Sequence, residues 1–277
     1  MKPPAATSLP EIREQDAPPA TAAVYAALRQ ASGVPLVNLI WRHFAALEGA
    51  LPWAWATLGP AMQAGYAAGA RKRLAAALVL PPVERLTLAQ WQAAGLDMAD
   101  LQVIRGLVQV YSRGNQTNLV CLTALRRHLA GTPALPGAPA VVAPVGAPLP
   151  PVPSLPRLAE LPPATQMLAQ ALGARHDAAA TGIIPRLWLH LAHWPALLAA
   201  RPGWLGPMLQ PPMLRATRHA AMALAEREGD ALRPHFTPPG PAPQAAAMLA
   251  ALETFTTLLI PDMVPVGLAL EAMLPEA

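Results

Sequence analysis

The sequence predicts an all-α protein built from two tandem homologous helical modules packed as a pseudo-dimer. Three observations carry this. Apolar residues make up 53% of the 277 and charged residues only 13%, and alanine, a strong helix former that fills little core volume, supplies much of the apolar share. Apolar positions recur at helical period through the first 130 residues and again from Leu168 onward. The second half also repeats landmarks of the first at a nearly constant offset.

The elements follow in order. Residues 1–20 are proline-rich and polar and read as a loose arm. Thr21 to Gln30 gives a short amphipathic helix, and Pro35 to about Leu47 a more apolar one. Trp53 to Leu78 gives a longer segment punctuated by Gly59-Pro60. Thr87-Leu-Ala-Gln90 has capping-box spacing. Asp97 caps Met98 to Tyr111, where Leu101, Ile104, Leu107, Val108 and Tyr111 share a face. Asn115 then precedes a helix from Gln116 to Leu129. The first module is thus 21–130.

Residues 131–163 hold 11 prolines among Ala, Gly, Val and Leu. They read as an extended, semi-rigid linker able to cross a surface without pairing its backbone. The second module is 164–277. Val34-Pro35 aligns with Ile184-Pro185, which places His43 on His193 and Phe44 on Trp194. After a short deletion the offset becomes 147, placing Leu58-Gly59-Pro60 on Leu205-Gly206-Pro207, Arg71 on Arg218 and Asn115 on Asp262. A duplicated module implies a pseudo-twofold axis, with equivalent residues lining a pocket between the copies.

The net charge of +4 comes almost wholly from arginine, since Lys2 and Lys72 are the only lysines. The arginines are scattered, and Arg71-Lys72-Arg73 has no interleaved aromatic platform, which argues against nucleic acid. Cys121 is the single cysteine, excluding an internal disulfide and a CxxC pair. The start lacks the apolar core of a secretion signal. The long uncharged stretch Gly49 to Ala70 contains Pro52, Gly59, Pro60, Gln63 and Gly65, so it reads as a turn and buried helix rather than a membrane span. The expectation is a cytoplasmic protein that acts on a small molecule, with no membrane partner. A homodimer is compatible with the chain.

None of the highly specific catalytic or nucleotide-binding motifs is present. A site must be assembled from isolated polar residues in apolar surroundings. Asn115 reads either as an N-cap after a glycine turn or as an amide lining the inter-repeat pocket. Asp262, in Leu258-Leu-Ile-Pro-Asp262-Met-Val-Pro, reads either as a cap or as a buried acid that needs partners. His190 and His193 have the spacing of a metal pair but lack a third ligand nearby, so no metal is expected. His193, the repeat partner of His43, suits a structural role at the interface. Trp188 and Trp194 suit the core. Cys121, in Leu119-Val-Cys-Leu, suits a buried apolar role.

Val34-Pro35 through Leu51-Pro52-Trp53-Ala54-Trp55 resembles the first repeat of the group I 2-haloacid dehalogenases. Gly114-Asn115 with Leu122-Thr123-Ala124-Leu125 is similar to the end of that repeat. His193-Trp194-Pro195 resembles an Asn-Trp-Pro of the second, and Ile260-Pro261-Asp262 an Ile-x-Asp near the C-terminus. The resemblance spans most of 22–270. It implies an all-α pseudo-dimer related to the alkylhydroperoxidase and carboxymuconolactone decarboxylase modules. It also implies hydrolysis of 2-haloalkanoic acids by an aspartate-activated water, with inversion, without a covalent ester and without metal or organic cofactor.

Carried over residue by residue, Asn115 matches the asparagine that positions the water. The family's aspartate falls on Leu187, preceded by Arg186. The base would then be Asp177 or Asp262, or His190 in their place, or the chain would bind a hydrophobic carboxylate without hydrolysing it. The expected substrate-binding residues are Leu36, Asn38, Arg186, Leu187 and His190, with Arg186 pairing with the substrate carboxylate.

Overall fold

The computed structural model describes residues 9–137, 139–176 and 184–275, with backbone alone for 201–204. Among the described residues there are helices and helical turns and no β-strand, so the protein is all-α. The first half contains α1 (Pro19–Ser32), α2 (Leu39–Ala46), α3 (Ala50–Gln63), α4 (Tyr66–Ala77), α5 (Leu88–Ala93) and α6 (Met98–Leu129). The second contains α7 (Pro163–Gly173), α8 (Arg186–His190), α9 (Pro195–Trp204), α10 (Pro211–Leu232), α11 (Ala245–Thr254) and α12 (Ile260–Met273). A π turn, Phe255–Leu259, joins the last two.

Local chemistry explains the starts. Asn38 accepts from the Ile40 N–H and so begins α2 three residues after Pro35. Both capping boxes form, Thr87 with Gln90 and Asp97 with Asp100. Two expected breaks do not occur. Helix α3 runs through Gly59-Pro60. Pro60 cannot donate to the carbonyl of Ala56, but the Thr237 hydroxyl donates to that carbonyl at 3.0 Å and restores its partner. Helix α6 likewise runs unbroken through Gly114-Asn115, because burial on both sides outweighs the roughly 1 kcal/mol helical cost of glycine. Asn115 is therefore a mid-helix residue and not a cap.

Helix α6 is the axis of the molecule, packed by α4, α10, α11 and α12. Its C-terminal half, Leu119 to Leu125, joins a core with Ile40, Phe44, Leu51 and Phe255. Its N-terminal half, Leu101 to Val108, joins a second core with Trp91, Leu187, Trp188 and Met263. Arg105 reaches the Pro275 carbonyl, Ser112 faces Gly267, and Arg126 pairs with Glu253. The sequence numbers run in opposite senses, so α6 lies antiparallel to the α11–α12 segment. That segment is long and apolar enough to span a membrane. Here it packs on α6 and α10.

The flanking segments are better anchored than their composition suggests. The arm is docked from residue 9, not loose. Ile12 donates to the Arg42 carbonyl, Tyr25 donates to the Ile12 carbonyl, and Glu14 accepts from the Val37 N–H. The proline-rich strap does pair its backbone. Ala143 donates to the Gly65 carbonyl and Leu149 to the Gly33 carbonyl, both at 3.1 Å. Both glycines have positive φ at helix junctions, where the lack of a side chain lets another backbone approach. Arg113 clamps the strap at the Ala147 carbonyl, and His190 and His193 hold it at the Pro153 and Ser154 carbonyls.

Candidate functional site

Pro261 places Asp262. It cannot donate to the carbonyl of Thr257, so a continuous α-helix from Ala245 would leave that carbonyl unpaired and meet the proline ring. The chain widens into the π turn instead, and Thr257 occupies its centre. The extra residue re-phases every side chain that follows. Asp262, in the first turn of α12, is thereby buried to 1% exposure.

The carboxylate meets three polar side chains from three other parts of the chain. His176, just after α7, lies with Nδ1 3.2 Å from Asp262 Oδ2. Trp188, on α8, donates its indole N–H to His176 Nε2 at 2.9 Å. That bond fixes the tautomer. With Nε2 accepting, the ring proton sits on Nδ1 and is donated to Asp262. Arg218, on α10, brings Nε to 3.4 Å from Asp262 Oδ1. Its angle does not make a hydrogen bond, so Oδ1 accepts none from the described residues. All four side chains are nearly excluded from solvent. The result is a carboxylate beside a guanidinium in a buried setting, with one oxygen held by the imidazole N–H and the other without a hydrogen bond from the described residues.

Asn115 and Asp262 both lie at the seam between the two cores. On α12, Ile260 and Val264 belong to one core and Met263 and Val266 to the other. With Ser112 level with Gly267, Asn115 and Asp262 are displaced the same way along the antiparallel pair, to within about 3 Å by helix rise. No hydrogen bond joins them. Asn115 is 7% exposed and its side chain makes no hydrogen bond to the described residues.

The other candidates divide. Leu187 is buried in the second core and offers no base. Arg186 is not turned to an apolar cavity. It lies 3.6 Å from Glu11, which Arg42 also approaches, at 3.1 Å. His190 is buried with both nitrogens engaged, Nδ1 by the Tyr111 hydroxyl at 2.8 Å and Nε2 by the Pro153 carbonyl at 2.7 Å. Burial holds its pKa below the usual imidazole range. It is a strap anchor, not a base. Leu36 is half-buried, and Asn38 is occupied in capping α2. Asp177 lies outside the described residues. His43 and His193 do not face one another, since His43 holds the arm at the Pro10 carbonyl and His193 holds the strap. Cys121 is fully buried and its thiol is pushed up to about 12, so it carries no thiolate near neutrality. Among the described residues no group of three or more His, Cys, Asp or Glu is placed to hold a metal.

A second carboxylate escaped the sequence reading. Glu271, one helical pitch from Gly267 on α12, has its pKa raised to about 7 by burial, against the Ser112 hydroxyl and the charges of Arg71 and Arg113. Gln116 donates to that same hydroxyl at 2.8 Å. His176, Trp188 and Arg218 were also missed as a group. The only signal for them was indirect: Arg218 is the repeat counterpart of Arg71, and His176 precedes the acid considered as a base.

No protein-family model matches the chain, and no curated protein does. Solved structures do. The chain shares its all-α fold with solved D-2-haloacid dehalogenase structures. It is similar to a D-2-haloacid dehalogenase mutant, with 18% identity, TM-score 0.75, and 95% of this chain and 96% of that one covered. A D-2-haloacid dehalogenase in complex with L-LA matches at 18% identity and TM-score 0.76 over 95% and 96% of the two chains. A D-2-haloacid dehalogenase mutant with D-2-CPA matches at 19% identity and TM-score 0.73 over 96% and 94%. The dehalogenase-like fold therefore covers both halves and the strap between them. At this identity it speaks for architecture and not for the reaction.

Proposed function

We propose that this protein is a cofactor-independent hydrolytic dehalogenase of 2-haloalkanoic acids, with Asp262 as the base. The observation that carries the reading is the Asp262 carboxylate, buried between His176 and Arg218 within a dehalogenase-like fold, with one oxygen that accepts no hydrogen bond from the described residues. Asp262 Oδ2 is held by His176, while Oδ1 accepts no hydrogen bond from the described residues. Arg218 places its Nε 3.4 Å from Oδ1.

A water at Oδ1 gives its proton to the carboxylate as its oxygen bonds to C2 on the face opposite the halogen. The C2–halogen bond breaks with its electron pair, leaving a 2-hydroxy acid of inverted configuration, halide, and a proton that Asp262 returns to solvent. Asn115 would orient that water through its amide. Arg186 would anchor the substrate carboxylate. Leu and Trp side chains of the second core supply the dry surroundings in which a carboxylate is a better base than in water.

The two-module organisation, 21–130 and 164–277, belongs to the same reading. Helices α6 and α11 begin at Met98 and Ala245, separated by the 147 residues that also separate Asn115 from Asp262.

The test is halide release from racemic 2-chloropropionate and 2-bromopropionate. Wild type should release halide. Asp262→Asn should lose about 10²–10⁴-fold in rate, the usual contribution of a general base, and Asn115→Ala should also be slowed. Asp177→Asn should keep wild-type rates. No release above buffer, or an Asp262→Asn variant as fast as wild type, contradicts the proposal.

A further inference from the structure

Glu11 offers a different observation. Its carboxylate lies between two arginines from opposite halves of the chain, Arg42 on α2 and Arg186 on α8, at 3.1 and 3.6 Å. The pairing is imperfect. Nε and Nη2 of Arg42 and Oε2 of Glu11 are all buried, and none has a hydrogen-bond partner. Buried guanidinium N–H groups without acceptors are rare and call for an explanation. One carboxylate also leaves two cations with an excess of positive charge.

We infer that Arg42 and Arg186 form a carboxylate-recognition site, and that Glu11 is a plug supplied by the chain itself, which an incoming small monocarboxylate displaces. Two planar guanidinium groups offer the donors that a carboxylate takes in two-pronged fashion. Glu11 shows that a carboxylate reaches both.

The plug can leave without the arm leaving. On one side of Glu11 the Pro10 carbonyl meets His43 Nδ1 at 2.8 Å. On the other, Ile12 donates to the Arg42 carbonyl at 3.0 Å and accepts from the Tyr25 hydroxyl at 2.8 Å. These bonds do not involve the Glu11 side chain. Only that side chain need swing out.

The site also adjoins the candidate centre. Tyr111 hydrogen-bonds His190, one turn beyond Arg186 on α8, and feels the charge of Arg42. Tyr111 and Asn115 are four apart on α6 and so share a face. The site thus supplies the carboxylate anchor that the proposed function assigns to Arg186 alone, and adds Arg42 to it.

The inference rests on the proposed substrate class and not on the reaction, so its test uses an unreactive acid. Propionate is titrated calorimetrically into the full-length protein, with propionamide as the neutral control. Glu11→Gln should bind propionate about tenfold more tightly than wild type, the gain expected if the plug is closed nine-tenths of the time. Arg42→Gln and Arg186→Gln, each made in the Glu11→Gln background, should lose that gain. Propionamide should not bind.

Equal propionate affinity in wild type and Glu11→Gln, or equal binding of propionamide, overturns the inference. If Glu11→Gln proves unfolded by circular dichroism, Arg186→Gln in the wild-type background decides. Weaker propionate binding supports the site, and unchanged binding overturns it. Tighter propionate binding without halide release from any variant would sink the dehalogenase reading alone. Halide release with propionate binding indifferent to Glu11 would sink the plug alone.

Discussion

At the scale of the residue, the fate of Asp262 follows from desolvation. A carboxylate at 1% exposure needs polar partners, and Arg218 and His176 are its partners among the described residues. Removing one member of a buried ion pair leaves the other uncompensated, so Arg218→Met should cost about 3–5 kcal/mol in denaturant unfolding. A loss under about 1 kcal/mol would show that the pair is not desolvated as described. The His176 tautomer makes a sharper prediction. Long-range proton–nitrogen NMR should find the proton on Nδ1, and Trp188→Phe should leave it there, held by Asp262, while Nε2 loses its donor. An Nε2–H form in wild type would break the Trp188–His176–Asp262 chain. The sequence shows Asp262 as an isolated acid in an apolar run, which leaves open a helix cap or a buried acid that needs partners. It could not show the partners, because His176 is 86 residues away and nothing local ties the two together.

At the scale of the element, the helices with clean caps and one apolar face were legible. Thr87 with Gln90 and Asp97 with Asp100 start their helices as their spacing requires. Where proline and glycine predict a break and none occurs, the cause is the same: tertiary contacts carry the helix through. Thr237 satisfies the Ala56 carbonyl that Pro60 leaves open, from 181 residues away. Pro261 does not end a helix either, but turns it through a π segment and changes which face Asp262 presents. The strap reads correctly as extended and wrongly as unpaired, because its partners are glycines at distant helix junctions. Gly69 shows how close the approach is. A methyl there would run into the Val141 carbonyl, with the carbonyl carbon at 2.8 Å. Gly69→Ala should cost about 1–3 kcal/mol by overpacking and should open the strap near Val141 to protease. Unchanged melting and unchanged proteolysis would contradict this docking.

At the scale of the whole molecule, two cores share α6 and α12, and the polar groups collect along the seam. Two of those groups set opposite pH dependences. Glu271 has its pKa raised to about 7, so the folded state favours the protonated form, and stability falls as pH rises from the unfolded value near 4.5 through 7. His190 is shifted down by burial, so its contribution is complete above its unfolded value near 6.5 and is lost as pH falls below it. Glu271→Gln cannot ionise. It should match wild type near pH 4.5 and exceed its stability at pH 8 by about 1–3 kcal/mol, given partial exposure. A variant no more stable than wild type at pH 8 would mean that Glu271 ionises without penalty. The scattered arginines argue against nucleic-acid binding from the sequence alone. The seam itself was not legible, because it arises only when the two halves close on each other.

The central claim is that Asp262 activates a water which displaces halide directly. A single turnover in ¹⁸O-labelled water, with enzyme in excess over 2-chloropropionate, tests it most directly. The hydroxy acid formed in that first turnover should carry ¹⁸O from solvent at C2. Unlabelled product, with the label appearing in the enzyme's own carboxylate, would make Asp262 a nucleophile through an ester. No product at all would remove the reaction from this protein.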